Sequence, residues 1–398
     1  MTLPVWLRPW WPLFKRLHGL VTLLCGVLFR LVAPVLGDRG VPRAAAATSR
    51  QTAAAEPAAV TFHPGHPAAT VARRPTPGNP ADHWVFAEVE AVSVPETFTL
   101  EVRDGRITGD YGATITPGGR LDHETSTYFG VSDWKRHPLY LRPTLGEVEH
   151  LPGTALSLTT RGASSNYYHF LYDAIGRLGV LAESLPDARW ETVVVPHQAR
   201  YQKALLELAG VSGRYVEPRR GLTYRADRLL VPSNPNWHLE APPATVEWLR
   251  AHLRPSAVPD LPRRLYLTRG SLPNTRRYVE EPALWPELER RGFHRLDAGT
   301  LTVQEQINVF ANAEAIVAPH GAALTNMTFS PPGVKVLEMF PATYVHLGLW
   351  SIAQAIGADY RYLVADGVEQ AGRRNKGVLD DVSIPVARVL AEVDALLG

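Results

Sequence analysis

The stretch Ala315-Ile316-Val317-Ala318-Pro319-His320-Gly321-Ala322-Ala323-Leu324-Thr325-Asn326, which runs on through MTFSPPGVKVLEMF to Pro341, decides how the rest of the chain is read. Four apolar residues ahead of Pro-His-Gly make a short buried strand that ends on a turn. A helix is expected to open near Leu324, and Pro332-Gly333 then turns the chain into a second strand, Val334 to Phe340. Continuously apolar strands joined this way belong to a parallel sheet covered on both faces. Ligands of such sheets sit outside the carboxyl ends of the strands. Gly321 and Ala322 are small enough to let the backbone approach a ligand. The first N–H groups of the following helix suit an anion such as a diphosphate. His320, Thr325 and Asn326 add side-chain donors, and Glu338 is expected to accept from two ribose hydroxyls. A tight packing turn is the competing reading of the same residues.

Upstream, Arg263 to Arg277 reads RRLYLTRGSLPNTRR. A strand ends at Thr268, so Arg269 lies at the same sheet edge as His320, and its guanidinium fork suits a phosphate. Arg276 and Arg277 could reinforce it or form a solvated loop pair, and the second reading is the one preferred. Around these segments strand and helix alternate. Strands are expected at Thr192–Pro196, Arg228–Pro232, Arg264–Arg269, Phe293–Leu296, Ala315–Ala318, Val334–Phe340 and Tyr360–Val364. Helices are expected at Tyr201–Ala209, Thr245–Leu253, Glu281–Arg291, Val303–Ala313, Leu347–Ile356 and Pro385–Leu397. The proline-rich stretch Pro255–Pro262 splits the series in two. The fold expected is α/β, with two Rossmann-like domains facing a cleft: 81–255, with a small strand-rich N-terminal region, and 256–398. Within that N-terminal region Trp84–Val89 alternates like a strand, and Asp104-Gly105 and Pro117-Gly118-Gly119 read as turns.

Further upstream still, Asn166 to Leu185 has the spacing of an amphipathic helix that begins near Tyr167. His169 and Asp173 are four apart and share one face. Either could deprotonate an attacking hydroxyl, or Asp173 could orient His169 as the base.

The segments YLTRGS, Arg276-Arg277, Glu280-Glu281, Gln304, Gln306, APHGAALTN, PPG and VLE together resemble glycosyltransferase family 61. Asn166-Tyr167-Tyr168-His169-Phe170 resembles the segment that opens the family's first α/β half. The resemblance covers about Leu158 to Ala365 and departs at Ala323, where the family usually has Gly. It implies a GT-B-like architecture and transfer of a sugar, with inversion, from a nucleotide-sugar donor to a glycan or glycolipid acceptor, as in surface or capsular polysaccharide synthesis. It points to His169 and Asp173 as catalytic, and to Arg269, His320, Gly321, Ala322, Thr325, Asn326 and Glu338 as donor-binding. No cofactor is expected beyond a UDP-linked donor as substrate. No metal is expected either, because the chain has no Asp-x-Asp. A non-catalytic glycan- or nucleotide-binding scaffold of the same fold is the alternative. A Gly-x-Gly-x-x-Gly fingerprint, which a dinucleotide oxidoreductase would need, is missing.

The totals fit this reading. The 398 residues are 45% hydrophobic and 20% charged, with a formal net charge of +2, so nucleic acid is not an expected partner. The one cysteine, Cys25, allows no intrachain disulfide and fits a reducing compartment. Residues 1–37 form an apolar leader, with leucines 13, 17, 20, 24, 28 and 31 at helical spacing beside Trp10, Trp11, Lys15 and Arg16. The expected location is cytoplasmic, attached to the inner face of the membrane through residues 5–37, peripherally or by a single pass; a helix packed on the body of the protein is the alternative. Residues 38–80, rich in Ala and Pro, read as a linker.

Overall fold

The computed structural model describes residues 10–72, 83–87, 89–128, 131–236, 239–273, 275–367 and 377–398. Residues 1–9 of the expected leader, 73–80 of the expected linker and Glu88 of the expected strand lie outside them.

The strands, in chain order, are β1 (Ala44–Ala46), β2 (Val60–Pro64), β3 (Ala69–Ala72), β4 (Ala91–Val94), β5 (Phe98–Thr108), β6 (Ala113–Ile115), β7 (Arg120–Asp122), β8 (Glu147–Ser157), β9 (Thr192–Val194), β10 (Arg214–Val216), β11 (Leu222–Pro232), β12 (Arg264–Leu267), β13 (His294–Leu296), β14 (Ala315–Pro319), β15 (Lys335–Phe340) and β16 (Asp359–Val364). They build two large sheets. The first has the order β1-β7-β6-β5-β11-β8-β9-β10, with β2 also paired to β5. The second has the order β13-β12-β14-β15-β16, and every pairing in it is parallel. The fold is therefore α/β with two sheet-centred halves, and the chain passes from one to the other across the proline-rich stretch after helix Pro243–His252.

The second sheet follows the sequence pattern closely. All five residues of β14 are buried, as a strand covered on both faces requires. Helix Val303–Ala311 starts on a capping box in which Thr302 and Glu305 bond reciprocally. Gly357, left-handed at φ 72°, ends helix Gly348–Ile356. From β12 the chain moves outward to β13, then returns to the other side of β12 as β14. The order reverses between β12 and β14, and crevices at such switch points bind ligands.

Four expectations are corrected. Residues 38–64 are no linker: β1 pairs in parallel with β7, β2 pairs with β5, and Thr48 caps helix Ser49–Ala55. Short Ala-rich strands carry too little β propensity to announce themselves. The first sheet is mixed, since β11 lies antiparallel to β5 and parallel to β8, and the strand-rich region is part of this sheet. Asp104-Gly105 does not end a strand but lies inside β5, with Asp104 at φ 51°. Finally, Trp84–Ala87 is a helical turn. It drives Phe86, fully buried, onto Tyr362 (centroids 4.0 Å apart, 16° between planes), beside Phe340 and Trp350 of the second half. One hydrophobic core runs continuously from Phe86 through Leu171 to Tyr362, so residues of the first half help to close the second.

Candidate functional site

The loops after β12 and β14 bring Arg269 and His320 together at the switch point. Arg269 donates from Nε to the Thr275 carbonyl at 2.5 Å. Its Nη1 lies over Gly321, where a Cβ would come within 1.8 Å of it. Gly321 is extended (φ 179°, ψ 163°), so this position needs glycine for space and not for conformation. Arg276 donates from Nε to the His320 carbonyl at 3.1 Å and from Nη1 to the Val378 carbonyl. Its guanidinium lies 5.5 Å from the ring centroid of Tyr344.

The chain aims Arg276 inward by force. Asp381 accepts from the Thr275 N–H (3.1 Å), the Arg277 N–H (3.3 Å) and Arg277 Nε (3.0 Å), pinning both neighbours. Arg276 between them takes φ 63°, a left-handed conformation that costs a bulky residue about 1–3 kcal/mol. Neither Arg269 nor Arg276 is ion-paired among the described residues. Burial pushes Arg269 down to about 10, and the like charge of Arg276 adds to the shift. Burial also lowers Arg276. Two partly desolvated cations with only main-chain partners form a site that an anion would stabilise.

Beneath them, His320 Nδ1 meets Glu338 Oε1 at 2.5 Å, and its ring stacks on Phe340. Glu338 is fully buried, and its other oxygen accepts from Tyr360 Oη at 2.5 Å. From Gly321 the chain enters a 3₁₀ helix, Ala322–Phe329, whose opening N–H groups have no intrahelical acceptor.

The second cluster stands on the helical run Tyr167–His169, Phe170–Ile175 and Arg177–Ser184, capped by Asn166. The middle segment is π-helical, a bulge found often at functional sites. His169 Nδ1 meets Asp173 Oδ2 at 2.6 Å, and Asp173 Oδ1 accepts from Asn236 Nδ2 at 2.5 Å. Asn236 Oδ1 in turn accepts from Tyr168 Oη at 3.1 Å. Gly162 packs against the imidazole, where a Cβ would lie 2.4 Å from His169 Cγ. Arg177, buried and pushed down to about 10 by desolvation, is favoured by the Asp173 charge nearby.

The two clusters are tied together. Tyr167 Oη donates to Asn326 Oδ1 (2.7 Å), and Tyr172 Oη is 2.6 Å from Thr328 Oγ1. Asn326 Nδ2 donates to Gln306 Oε1 (2.7 Å) and the Ala323 carbonyl (3.1 Å). Beside this seam, between the halves, a cavity of about 410 Å³ is lined by Tyr167, Tyr201, Thr302, Gln306 and Ala323 among others.

Residues 167–337 match the family described as Glycosyltransferase 61. The matched segment opens at Tyr167 and closes at Leu337, so it spans both clusters. Over this segment, less than half of the chain, the protein is similar to glycosyltransferase family 61. Among solved structures, "E. coli heptosyltransferase WaaC with ADP" matches at 10% identity and a TM-score of 0.29, over 62% of this chain and 100% of that one. That likeness is too distant to carry residue roles. No curated protein matches the chain. The chain itself forms two α/β halves closed over a common seam.

The structure gathers Arg269, His320, Gly321 and Ala322 at one sheet edge, and joins His169 to Asp173. It corrects three donor-site expectations. Glu338 is fully buried inside the sheet between His320 and Tyr360, and so is not open to ribose hydroxyls. Asn326 is fully buried and spends its amide on Tyr167, Gln306 and Ala323. Thr325 is also fully buried, and its hydroxyl has no partner among the described residues. Of the loop pair, Arg276 is turned to the His320 carbonyl beside Arg269, whereas Arg277 is the structural member, held by Asp381. Asn236 gave no signal beyond a loop context. Ala323, at the departure from the family pattern, is not among the residues with positive φ, so a methyl group is accommodated.

Proposed function

We propose that this glycosyltransferase acts by inversion, without a metal, on a UDP-linked sugar donor. Arg269, Arg276 and the opening N–H groups of Ala322–Phe329 bind the diphosphate, and His169, held by Asp173, is the base. The acceptor hydroxyl loses its proton to His169 as its oxygen attacks the anomeric carbon. The bond to the diphosphate breaks on the opposite face, and the electron pair leaves with the β-phosphate oxygen. The two arginines supply fixed positive potential where that charge develops. In this reading the two arginines take the charge-neutralising role. Asn236 and Asp173 hold the imidazole orientation, and the 410 Å³ cavity takes the acceptor side. The acceptor in this reading is a glycan or glycolipid of a surface or capsular polysaccharide, and the enzyme works on the cytoplasmic face of a membrane.

The observation that carries the proposal is the pair of unpaired, partly buried arginines at the β12/β14 switch point. Thermal shift with UDP, GDP, CDP and ADP, with and without EDTA, tests it. Stabilisation by UDP that survives EDTA and is clearly reduced in Arg276→Ala is expected. No shift with any nucleotide at millimolar concentration would favour a glycan-binding scaffold, and a shift that EDTA abolishes would overturn metal independence.

A further inference from the structure

The leader carries a second, independent feature. Residues Arg16–Arg39 are long and apolar enough to cross a membrane, yet helix Trp11–Leu36 is docked along the body by one face. Gly19 approaches Arg136, Gly26 lies against the Tyr140 ring, Thr22 and Ala33 are buried, and Gly40 turns back onto Ala33. Arg30, the charge that interrupts the apolar run, is on the docked face. It donates to the Gly26 carbonyl at 2.8 Å and lies 5.2 Å from the Trp134 ring centroid and 5.6 Å from that of Tyr140. The opposite face is left purely apolar. Leu13, Leu17, Leu20, Leu24, Leu28, Leu31 and Val35 recur at steps of three and four and are all more than half exposed.

A helix bound to a polar body over this length cannot enter hydrocarbon on all sides. Immersed by its free face, it lies in the plane of the interface. At its N-terminal end, between helix and body, opens a cavity of about 870 Å³. Arg16, Arg136, Arg142 and Arg220 line it, together with Tyr111 and Tyr128. Arg220 is bonded to Asp110 at 2.9 Å. The other three arginines have no ion pair among the described residues. The cavity thus joins unneutralised cations to an aromatic wall directly beside an exposed leucine stripe.

We propose that this cavity receives the phosphate headgroup of an anionic membrane lipid, whose chains run along the exposed face of the leader helix, so that the enzyme is monotopic. Charge complementarity selects the occupant: a zwitterionic or neutral surface would leave Arg16, Arg136 and Arg142 desolvated without a counter-charge.

Vesicle sedimentation of the full-length protein tests it, with phosphatidylcholine alone against phosphatidylcholine carrying 30% phosphatidylglycerol. The expected result is at least tenfold stronger partitioning onto the anionic vesicles. Arg136→Glu/Arg142→Glu should remove that preference and leave the weaker partitioning to phosphatidylcholine. Leu24→Glu/Leu31→Glu should abolish both. Nucleotide-induced stabilisation, read on each variant, confirms folding and keeps this test separate from that of the donor site. Equal binding of the wild type to both vesicles, or an undiminished preference in the arginine variant, would overturn the headgroup site. Competition by soluble glycerol phosphate as strong as by vesicles would reassign it to a free phosphate ligand. Depth is read with an environment-sensitive probe on Leu13→Cys, Leu24→Cys and Val35→Cys, each in a Cys25→Ser background. Similar shallow depths are expected, and a deep Leu24 between two shallow ends would mean that the helix crosses the bilayer.

Discussion

Two histidines of the candidate site are each bound at Nδ1 by a buried carboxylate, at nearly the same distance, in different surroundings. His320 meets Glu338 at 2.5 Å and His169 meets Asp173 at 2.6 Å. Each carboxylate spends its second oxygen on another side chain, Tyr360 in one case and Asn236 in the other. Around His320, however, two cations crowd in. Arg276 bonds its carbonyl, and Arg269 covers the next residue. Its imidazole stacks on Phe340 deep in the sheet, so it anchors the turn beneath the two arginines. His169 stands on a π-bulged helix, next to a glycine that leaves it room, with its carboxylate held by an amide. A His–carboxylate pair alone does not name a base; the charges that share its space do.

The largest effect that can break this comparison is on turnover. Asp173→Asn keeps the shape and loses the charge that stabilises a protonated His169. Transfer should fall about 10²–10⁴-fold, the span of a general base, with nucleotide-induced stabilisation intact. His320→Ala should do the reverse, weakening nucleotide binding first. If Asp173→Asn lost nucleotide binding while His320→Ala kept it, the two roles would have to be exchanged.

The next effect is on binding. Arg276→Ala removes one of the two cations at the site, and a charged hydrogen bond is worth about 1.5–3 kcal/mol, so UDP affinity by calorimetry should drop roughly 10–100-fold. Arg277→Ala removes only a partner of Asp381 and should change affinity by about threefold or less. Equal losses in both variants would mean that the loop as a whole, and not the Arg276 charge, makes the site.

Which parts of this were legible in the sequence follows from what each residue type can announce. Ala315–Pro319 and Lys335–Phe340 were plain, because strands covered on both faces are continuously apolar and Pro-Gly marks the turn between them. Arg269 and His320 followed from those strands, since residues just past parallel strands share an edge. Glu338 misled for a geometric reason. A carboxylate near a strand end reads as solvent-facing, but its register opposite Ala318 and Tyr362 buries it in the sheet. Asn326 misled because an amide gives no hint of whether its partners are ligand or protein. Arg276 and Arg277 look alike, and only Asp381, more than a hundred residues away, separates them. Phe86 stood in a run that alternates like a strand, and tertiary contact with Tyr362 overrode the pattern. The first sheet was the least readable part because its central strand, β11, takes partners from both sides in opposite directions.

A smaller effect sharpens the Arg269 half of the site. In Gly321→Ala the new methyl meets the far end of a flexible side chain, so the protein should fold, with Arg269 displaced. UDP affinity should fall by about tenfold, equivalent to 1.4 kcal/mol, and the double variant Gly321→Ala/Arg269→Ala should bind no worse than Arg269→Ala alone. Additive losses would show that the glycine serves the ligand directly.

The smallest effect comes from a histidine with no carboxylate, which is the control for the other two. His137 is fully buried among Tyr111 and Tyr128 and accepts the Leu139 N–H at Nδ1. Burial pushes it down to about 3, with the neighbouring His123 adding to the shift. Its folded-state value is depressed, so below pH 6.5 the unfolded chain takes up a proton that the folded chain refuses. Its contribution to stability is therefore present above pH 6.5 and is lost progressively as the pH falls towards 3. Between pH 6.5 and 5.5 that amounts to about 1 kcal/mol, to be read as the difference in urea-unfolding free energy between the wild type and His137→Phe. A wild-type slope no steeper than that of the variant would mean that His137 is charged in the folded protein. A buried histidine here would then not need a carboxylate to hold its proton, and the contrast drawn between the two pairs would lose its physical basis.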